Sequence, residues 1–554
     1  MPRPAVVVPA AWTRSRRILF VSLAVLAGCS RGGCGTARDA GPETASPGAP
    51  RRGGTAVVAI PSEPKSLMPY AAAAQGTPAS DILVQLFPYL ITTEPDLISY
   101  SPQLARSWEW EADGRTLVFQ LRDDARWEDG VPVTAEDVAF SFDVARDTLV
   151  GWPTLRWKRE IQACEVVDPH TVRFRFARVP REAVRFAKEG FIIPKHLLAS
   201  VPRDRWADAD FAKHPIGCGP FRIDRWEPAQ RLVLVRSDTY WERDRPYLDR
   251  LVFRIVPDAP TRVRLLRAGE LDLVDELTTR EATTMRTSGE AVRILTCKGR
   301  DYDYIAFNLR DSLFANRSVR EALTRALDRR GLVASLLQGF AEPLDGPVVP
   351  ILWAHDADLA PLPYDPPGAR QLLATAGWMD RDGDGWLDRG GRRFEFTVLL
   401  VNDNERRRDV IVAAQSQWKE IGVKADVQML ERGALAERRI HGQFELLSAG
   451  WGSNVAMELE PIWGCGGRSN FVGYCNPRVD SLIASATYLP YDGAKKPLVE
   501  AQRLIAADAP YIFMYSLFNI VGTSARLQDV QVDARGTILN PEAWWVTDAG
   551  APSP

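Results

Sequence analysis

SPQLARSWEWEADGRTLVFQLRDDARWEDGVPVTAEDVAFSFD, residues 101–143, changes its apolar period midway. Over 116–122, Leu117, Phe119 and Leu121 alternate with polar neighbours, the period of two that puts one face of a strand in a core. Thr134-Ala-Glu-Asp137 then has the spacing of a capping box, with Asp where Glu or Gln is usual. It opens a helix whose Val138 and Phe142 stand four apart. A strand followed by a capped helix within forty residues points to a chain that mixes both elements.

The same alternation extends outward from this stretch. Residues 54–60 read as a short apolar strand ended by Pro61 and Pro64, and Val172, Phe174 and Phe176 face one way in the strand 171–176. Ser318-Val-Arg-Glu321 is a full capping box before the apolar face Val319, Leu323 and Leu327. Asp365-Pro366 places a cap residue before a first-turn proline, Gly377 lies where that helix should stop, and 394–400 returns to strand alternation. Strands and helices interleave along the whole length, an α/β pattern without an internal repeat. A chain of 554 residues exceeds what one core usually supports, so at least two lobes are expected.

Arg14, Arg16 and Arg17 precede an apolar run, 18–27, that is too short to span a bilayer and has the layout of an export signal. Small residues before the single Cys29 resemble the lipobox of bacterial lipoproteins, in which that cysteine is diacylated and becomes the new N-terminus. Residues 29–52 then read as a flexible tether, poor in large apolar side chains. The four Arg of residues 1–28, a stretch without acids, leave 65 basic against 71 acidic side chains, a formal charge of −6. That balance argues against a nucleic-acid partner. In an exported chain, cysteines pair more readily than they ligate metal. Cys465 and Cys475, close together around a Gly-Gly turn, are the easiest to join, whereas pairing among Cys34, Cys164, Cys218 and Cys297 stays open.

Seven ordered blocks resemble the peptide/nickel family of ABC-transporter substrate-binding proteins. They are the stretch 101–143, IIPKHLL (192–198), PIGCGPFRIDRWEP (215–228), YIAFNL (304–309), YDPPGARQLLATAGW (364–378), WKEIGVKADVQ (418–428) and EAQRLIAADAPYIFMY (500–515). The resemblance covers essentially all of 53–554. It implies a type II, periplasmic-binding-protein-like clamshell of two α/β lobes. The first lobe would take 53–300, with an inserted subdomain at about 93–215, and the second 301–514, with 515–554 returning to the first. Such proteins capture a solute between their lobes and deliver it to a permease and ATPase. The resemblance therefore implies a monomeric, lipid-anchored, extracytoplasmic peptide binder with no cofactor and no catalytic step. A metal chelate or sugar-like solute, or a sensing role without a transporter, are the alternatives.

The family also suggests site residues. In peptide binders an Asp three residues after the Trp of a Gly-Trp motif pairs with the ligand's α-ammonium; here the Trp is Trp451 and the matching position is Asn454. A neutral amide there forgoes a charge-assisted hydrogen bond of about 1.5–3 kcal/mol. Arg439 matches an Arg that meets the ligand carboxylate, Ser448 stands where a second Arg is found, and Glu458 and Glu460 offer negative charge in the following turn. Tyr70, Tyr302, Tyr304, Asn308, Asn402 and Asn404 lie in segments that border the cleft in the family.

Other motifs are weaker. Asp380, Asp382, Asp384 and Asp388 occupy acidic positions of a calcium-type loop, but Gly391 stands where a bidentate Glu is needed, so a solvated acidic turn is expected and a weak calcium site is the alternative. The five His are scattered, no Gly-x-Ser-x-Gly elbow occurs, and Gly217-Cys-Gly219 lacks the spacing of a phosphate loop. No catalytic constellation is visible.

Overall fold

The computed structural model describes residues 48–71, 74, 78–150, 155–288 and 291–547. The readings on the export signal 1–28, Cys29, Cys34 and most of the tether lie outside these residues. Residues 1–35 and 36–554 cluster as separate units, and every described residue belongs to the second.

Two long strands, Val292–Phe307 and Tyr511–Ser524, run antiparallel through the middle of an 11-stranded mixed sheet. On one side of the pair lie Leu446–Gly452, Glu395–Val401 and Lys424–Leu430, joined in parallel. On the other lie Leu273–Val274, Thr55–Ile60, Arg250–Ile255, Arg231–Arg236 and Phe221–Glu227. Their pairing is interrupted between Lys298 and Tyr302, where three residues oppose one. The boundaries read at 300/301 and 514/515 both fall within these strands.

Ala105–Trp110, Thr116–Leu121, Thr171–Phe176 and Ile161–Asp168 make a separate four-stranded antiparallel sheet. Leu117, Phe119, Leu121, Val172, Phe174 and Phe176 are all buried there, and Phe174 meets Phe119 edge-on at 5.7 Å. The helix Ala135–Arg146 starts at Thr134, whose N–H donates to Asp137 Oδ2 at 2.9 Å. Asp365 caps Pro366–Thr375 by accepting from the Gly368 N–H at 2.9 Å.

At 318–321 the structure corrects the sequence reading. The helix is Arg317–Arg325 and its cap is Asn316, whose Oδ1 accepts from the Ser318 N–H at 2.9 Å. A short acceptor two residues upstream captures that N–H first, so Ser318 lies inside the helix and Glu321 turns to Arg325. Val319, Leu323 and Leu327 are buried.

Gly217 and Gly219 are explained by packing. A Cβ on either would sit 2.2–2.3 Å from the Leu86 or Gln85 carbonyl oxygen, and the N–H groups of Cys218 and Gly219 both donate to Leu86 O. The glycines let a loop close against the end of the helix Ala79–Leu86.

The centre of the sheet carries a buried ionic knot. Asp303 accepts from Arg406 at 3.0 Å, Arg407 at 2.7 Å and the Tyr515 hydroxyl at 2.9 Å. It ties both long strands to the helix Glu405–Glu420, whose own cap is Asn404. Burial alone would raise the Asp303 pKa, but the two guanidinium groups hold it below the ordinary carboxylate range.

Candidate functional site

The short helix Leu155–Arg159 presents Trp157, whose ring stacks on Phe186 at 5.3 Å and 15°. Lys158, fully buried beside it, donates to the carbonyls of Phe186 and Ala187 at 2.8 and 3.2 Å. This cation satisfies main-chain acceptors at the end of the helix Ala183–Lys188, and burial pushes its pKa down to about 8. The turn before that helix brings Arg178, Arg181 and Glu182 to the same surface. Glu182 is buried and meets Arg185 at 3.0 Å and Arg181 at 3.5 Å.

Opposite stands a wall built almost three hundred residues later in the chain. Asn470 organises it: its Nδ2 donates to Gly464 O and Tyr474 O, and its Oδ1 accepts from the N–H groups of Gly473 and Tyr474. A disulfide joins Cys465 to Cys475 across this loop. Trp463 fills the core beneath, 4.8 Å from Tyr511 and edge-on to Tyr474 at 6.0 Å. The helices Pro477–Ala486 and Tyr491–Asp508 complete the wall.

Several bonds cross from one wall to the other. Trp157 Nε1 donates to Glu458 Oε1 at 3.0 Å. Arg181 donates to Ala486 O at 2.7 Å and Ala456 O at 3.1 Å. The Tyr491 hydroxyl donates to Glu182 at 3.0 Å, and Arg178 lies 3.5 Å over the Tyr488 ring. Burial and the Glu182 charge push the Tyr491 hydroxyl pKa up, so it stays a donor. The walls enclose a cavity of about 560 Å³ with Trp157, Phe186, Met457, Ile483 and Leu498 among its apolar lining. That volume suits a small organic solute. A groove of about 680 Å³ at Arg310, His441 and Arg468 is larger but more polar, and one stretch of the chain, 308–471, forms all of it.

Of the residues named from sequence, Glu458 and Glu460 line this cavity, whereas Trp451, Asn454, Arg439, Tyr70, Tyr302, Tyr304, Asn308, Asn402 and Asn404 do not. Asn454 is exposed and donates to Glu458 Oε2 at 2.6 Å while accepting from the Ala456 N–H at 2.7 Å. With Trp451 it lines a side pocket of only about 50 Å³ that shares Met457 and Glu458 with the main cavity. Arg439 lies 4.6 Å from the Phe471 ring and 5.9 Å from Trp451, and its Nε is buried without a hydrogen-bond partner.

Tyr70 is buried and donates to Phe191 O at 2.7 Å. Tyr302 and Tyr304 are buried on one face of their strand, Tyr304 stacking on Tyr511 at 4.2 Å. Asn308 is buried and donates to Gly442 O and Phe444 O. Asn402 is exposed.

Asp380, Asp382 and Asp384 bring carboxylate oxygens within 4.8 Å of one another on the surface. Their oxygens accept from the main chain at Gly383, Gly385, Asp384 and Trp386, and Arg393 pairs with Asp384. Asp388 lies apart from that cluster, 3.8 Å from Arg381.

Trp157, Arg178, Arg181, Glu182, Tyr488 and Tyr491 were not singled out from sequence. Arg178-Val-Pro-Arg-Glu182 follows the strand Thr171–Phe176, and nothing local in it announces a partner three hundred residues away.

Comparison with known proteins gives consistent results. A family profile described as "Bacterial extracellular solute-binding proteins, family 5 Middle" matches residues 99–471. The chain is 29% identical to the oligopeptide-binding protein AppA of Bacillus subtilis over 511 residues, covering 90% of this chain and 93% of that one. It is 28% identical to the heme-binding protein A of Haemophilus influenzae, over 79% of this chain and 83% of the relative. The solved structure of AppA from Bacillus subtilis in complex with a nonapeptide superposes with a TM-score of 0.73 at 28% identity, covering 90% of this chain and all of that one.

Proposed function

Since the chain belongs to the bacterial extracellular solute-binding proteins of family 5, we propose that it captures a peptide or peptide-like solute in the cavity lined by Trp157, Phe186, Met457 and Ile483. From there it hands the solute to the permease and ATPase of an ABC importer. The observation that carries this reading is the set of bonds from Trp157, Arg181 and Tyr491 to the opposite wall, because those side chains join surfaces that belong to different hydrophobic cores. A solute lying between the walls touches both and so stabilises the state in which they meet. The importer distinguishes that state from an open one. The role needs no chemical step and no cofactor, and one copy of the chain suffices for it.

The relatives support the solute class: one is an oligopeptide-binding protein and is solved with a nonapeptide. Calorimetry with di- to nonapeptides and, for contrast, heme tests the reading. Saturable heat with a peptide is expected; heat with heme and with no peptide would overturn it.

The protein works outside the cytoplasm, held to a membrane by lipid on Cys29. Among the described residues no helix is long and apolar enough to cross a membrane, and a diacylated cysteine followed by the tether supplies attachment. Cys29→Ala is expected to move the protein from the membrane fraction to the soluble fraction of its bacterial host. Retention in the membrane fraction would remove the lipid anchor from the account.

A further inference from the structure

Cys465 lines the cavity, whereas its disulfide partner Cys475 does not. Both residues are exposed. A solute in the cavity therefore lies against one end of a disulfide that water also reaches.

The wall is held without this bond. Asn470 makes four hydrogen bonds across the same loop, and the Cys465 N–H donates to both oxygens of Asp480, at 3.1 and 3.4 Å. The two cysteines are ten positions apart, and closing so short a loop constrains the unfolded chain less than closing a long one. Exposed disulfides are the labile ones, whereas structural disulfides resist reduction.

The two sulfurs are not equivalent. In thiol–disulfide exchange a thiolate attacks one sulfur and the other leaves, faster the better its negative charge is stabilised. Cys475 immediately precedes Asn476, the cap of the ten-residue helix Pro477–Ala486, so a thiolate on Cys475 forms beside the positive end of that helix. On Cys465 it would form beside the Asp480 carboxylate, which disfavours it. Internal thiols do not compete: Cys218 and Cys297 are buried, and burial pushes the Cys164 thiol up to about 12, so it stays protonated.

From this we infer that the Cys465–Cys475 disulfide is an exchange site, at which a captured solute carrying a free thiol is held covalently. This rests on the reading of the cavity as the capture site. The solute thiol loses its proton and its sulfur attacks Sγ of Cys465. A bond forms between those two sulfurs, the Cys465–Cys475 bond breaks, and Cys475 leaves as a thiolate that takes up the proton. One disulfide replaces another, so no oxidant or reductant is consumed. Attack by Cys475 on the same sulfur reverses the step and frees the solute unchanged.

The test exposes the full-length, oxidised protein to Ala-Cys-Ala, with Ala-Ser-Ala and mercaptoethanol as controls, then quenches with acid and maps the sulfurs by mass spectrometry without reduction. The Cys peptide is expected on Cys465, with Cys475 open to alkylation. Its rate should saturate with concentration, exceed that of mercaptoethanol by about ten-fold or more at equal thiolate concentration, and fall when Ala-Ser-Ala competes for the cavity.

A disulfide left intact by the Cys peptide, an adduct on Cys475, or a rate no higher than that of mercaptoethanol would overturn the exchange site. Heat on titration with Ala-Ser-Ala would then leave peptide capture standing. Saturable exchange at Cys465, with neither heat from Ala-Ser-Ala nor competition by it, would do the reverse, supporting the exchange site and removing capture of peptides at large.

Discussion

Asp303→Asn is expected to lower the unfolding free energy by about 3–5 kcal/mol, the usual cost of breaking a buried ion pair by removing one partner. The shift is read as a change in urea midpoint at constant slope. Asp303 is only 3% exposed and holds two guanidinium groups and a tyrosine hydroxyl. The Arg406 and Arg407 side chains remain 31% and 19% exposed, so water recovers part of the loss and the lower end of the range is favoured. The sign of the pH dependence follows from the depressed folded pKa. Between that value and the ordinary carboxylate range the unfolded state binds the proton and the folded state does not. The contribution of Asp303 is therefore complete above the ordinary carboxylate range and is lost as pH falls through the folded pKa. Asp303→Asn should flatten that acid limb of the stability curve; a variant as acid-sensitive as the parent would show that the knot does not supply it.

Arg181→Ala is expected to weaken solute binding by roughly ten- to hundred-fold while leaving the unfolding midpoint nearly unchanged. Its guanidinium supplies two charged hydrogen bonds to carbonyls of the opposite wall, each worth about 1.5–3 kcal/mol at most. Those bonds exist only while the walls meet, so their loss falls on closure rather than on either core. Arg181→Lys should give an intermediate loss, since an ammonium keeps the charge beside Glu182 but cannot span two carbonyls with a planar fork. Small-angle scattering adds a structural readout: without solute, the Ala variant should have the larger radius of gyration. An unchanged radius and affinity would mean that the bridging bonds do not govern closure.

Much of the fold was legible because strand alternation and helix caps are local signals. Leu117, Phe119 and Leu121 could be assigned to one face from sequence alone, as could the starts of two helices at Thr134 and Asp365. The misplaced cap at Ser318 shows the limit of that approach: two short acceptors, Asn316 and Ser318, competed for one helix start, and the upstream one won. Tyr302 and Tyr304 were equally ambiguous, because alternation puts them on a shared face without saying whether that face meets solute or a second layer of side chains. In the structure Trp463 and Tyr511 cover it. The cavity was the least legible part. Resemblance led to the neighbourhood of Trp451 and Asn454, one side pocket away, but its bridging residues acquire meaning only from contacts across three hundred residues of chain.

The most direct test of capture between the walls is a crystal structure of the protein with the solute it carries when purified from its own host. Density for that solute is expected between Trp157 and the helix Pro477–Ala486, with Arg181 still bonded to Ala456 and Ala486. Solute bound instead in the groove at Arg310 and Arg468, with the cavity between the walls holding only water, would contradict it.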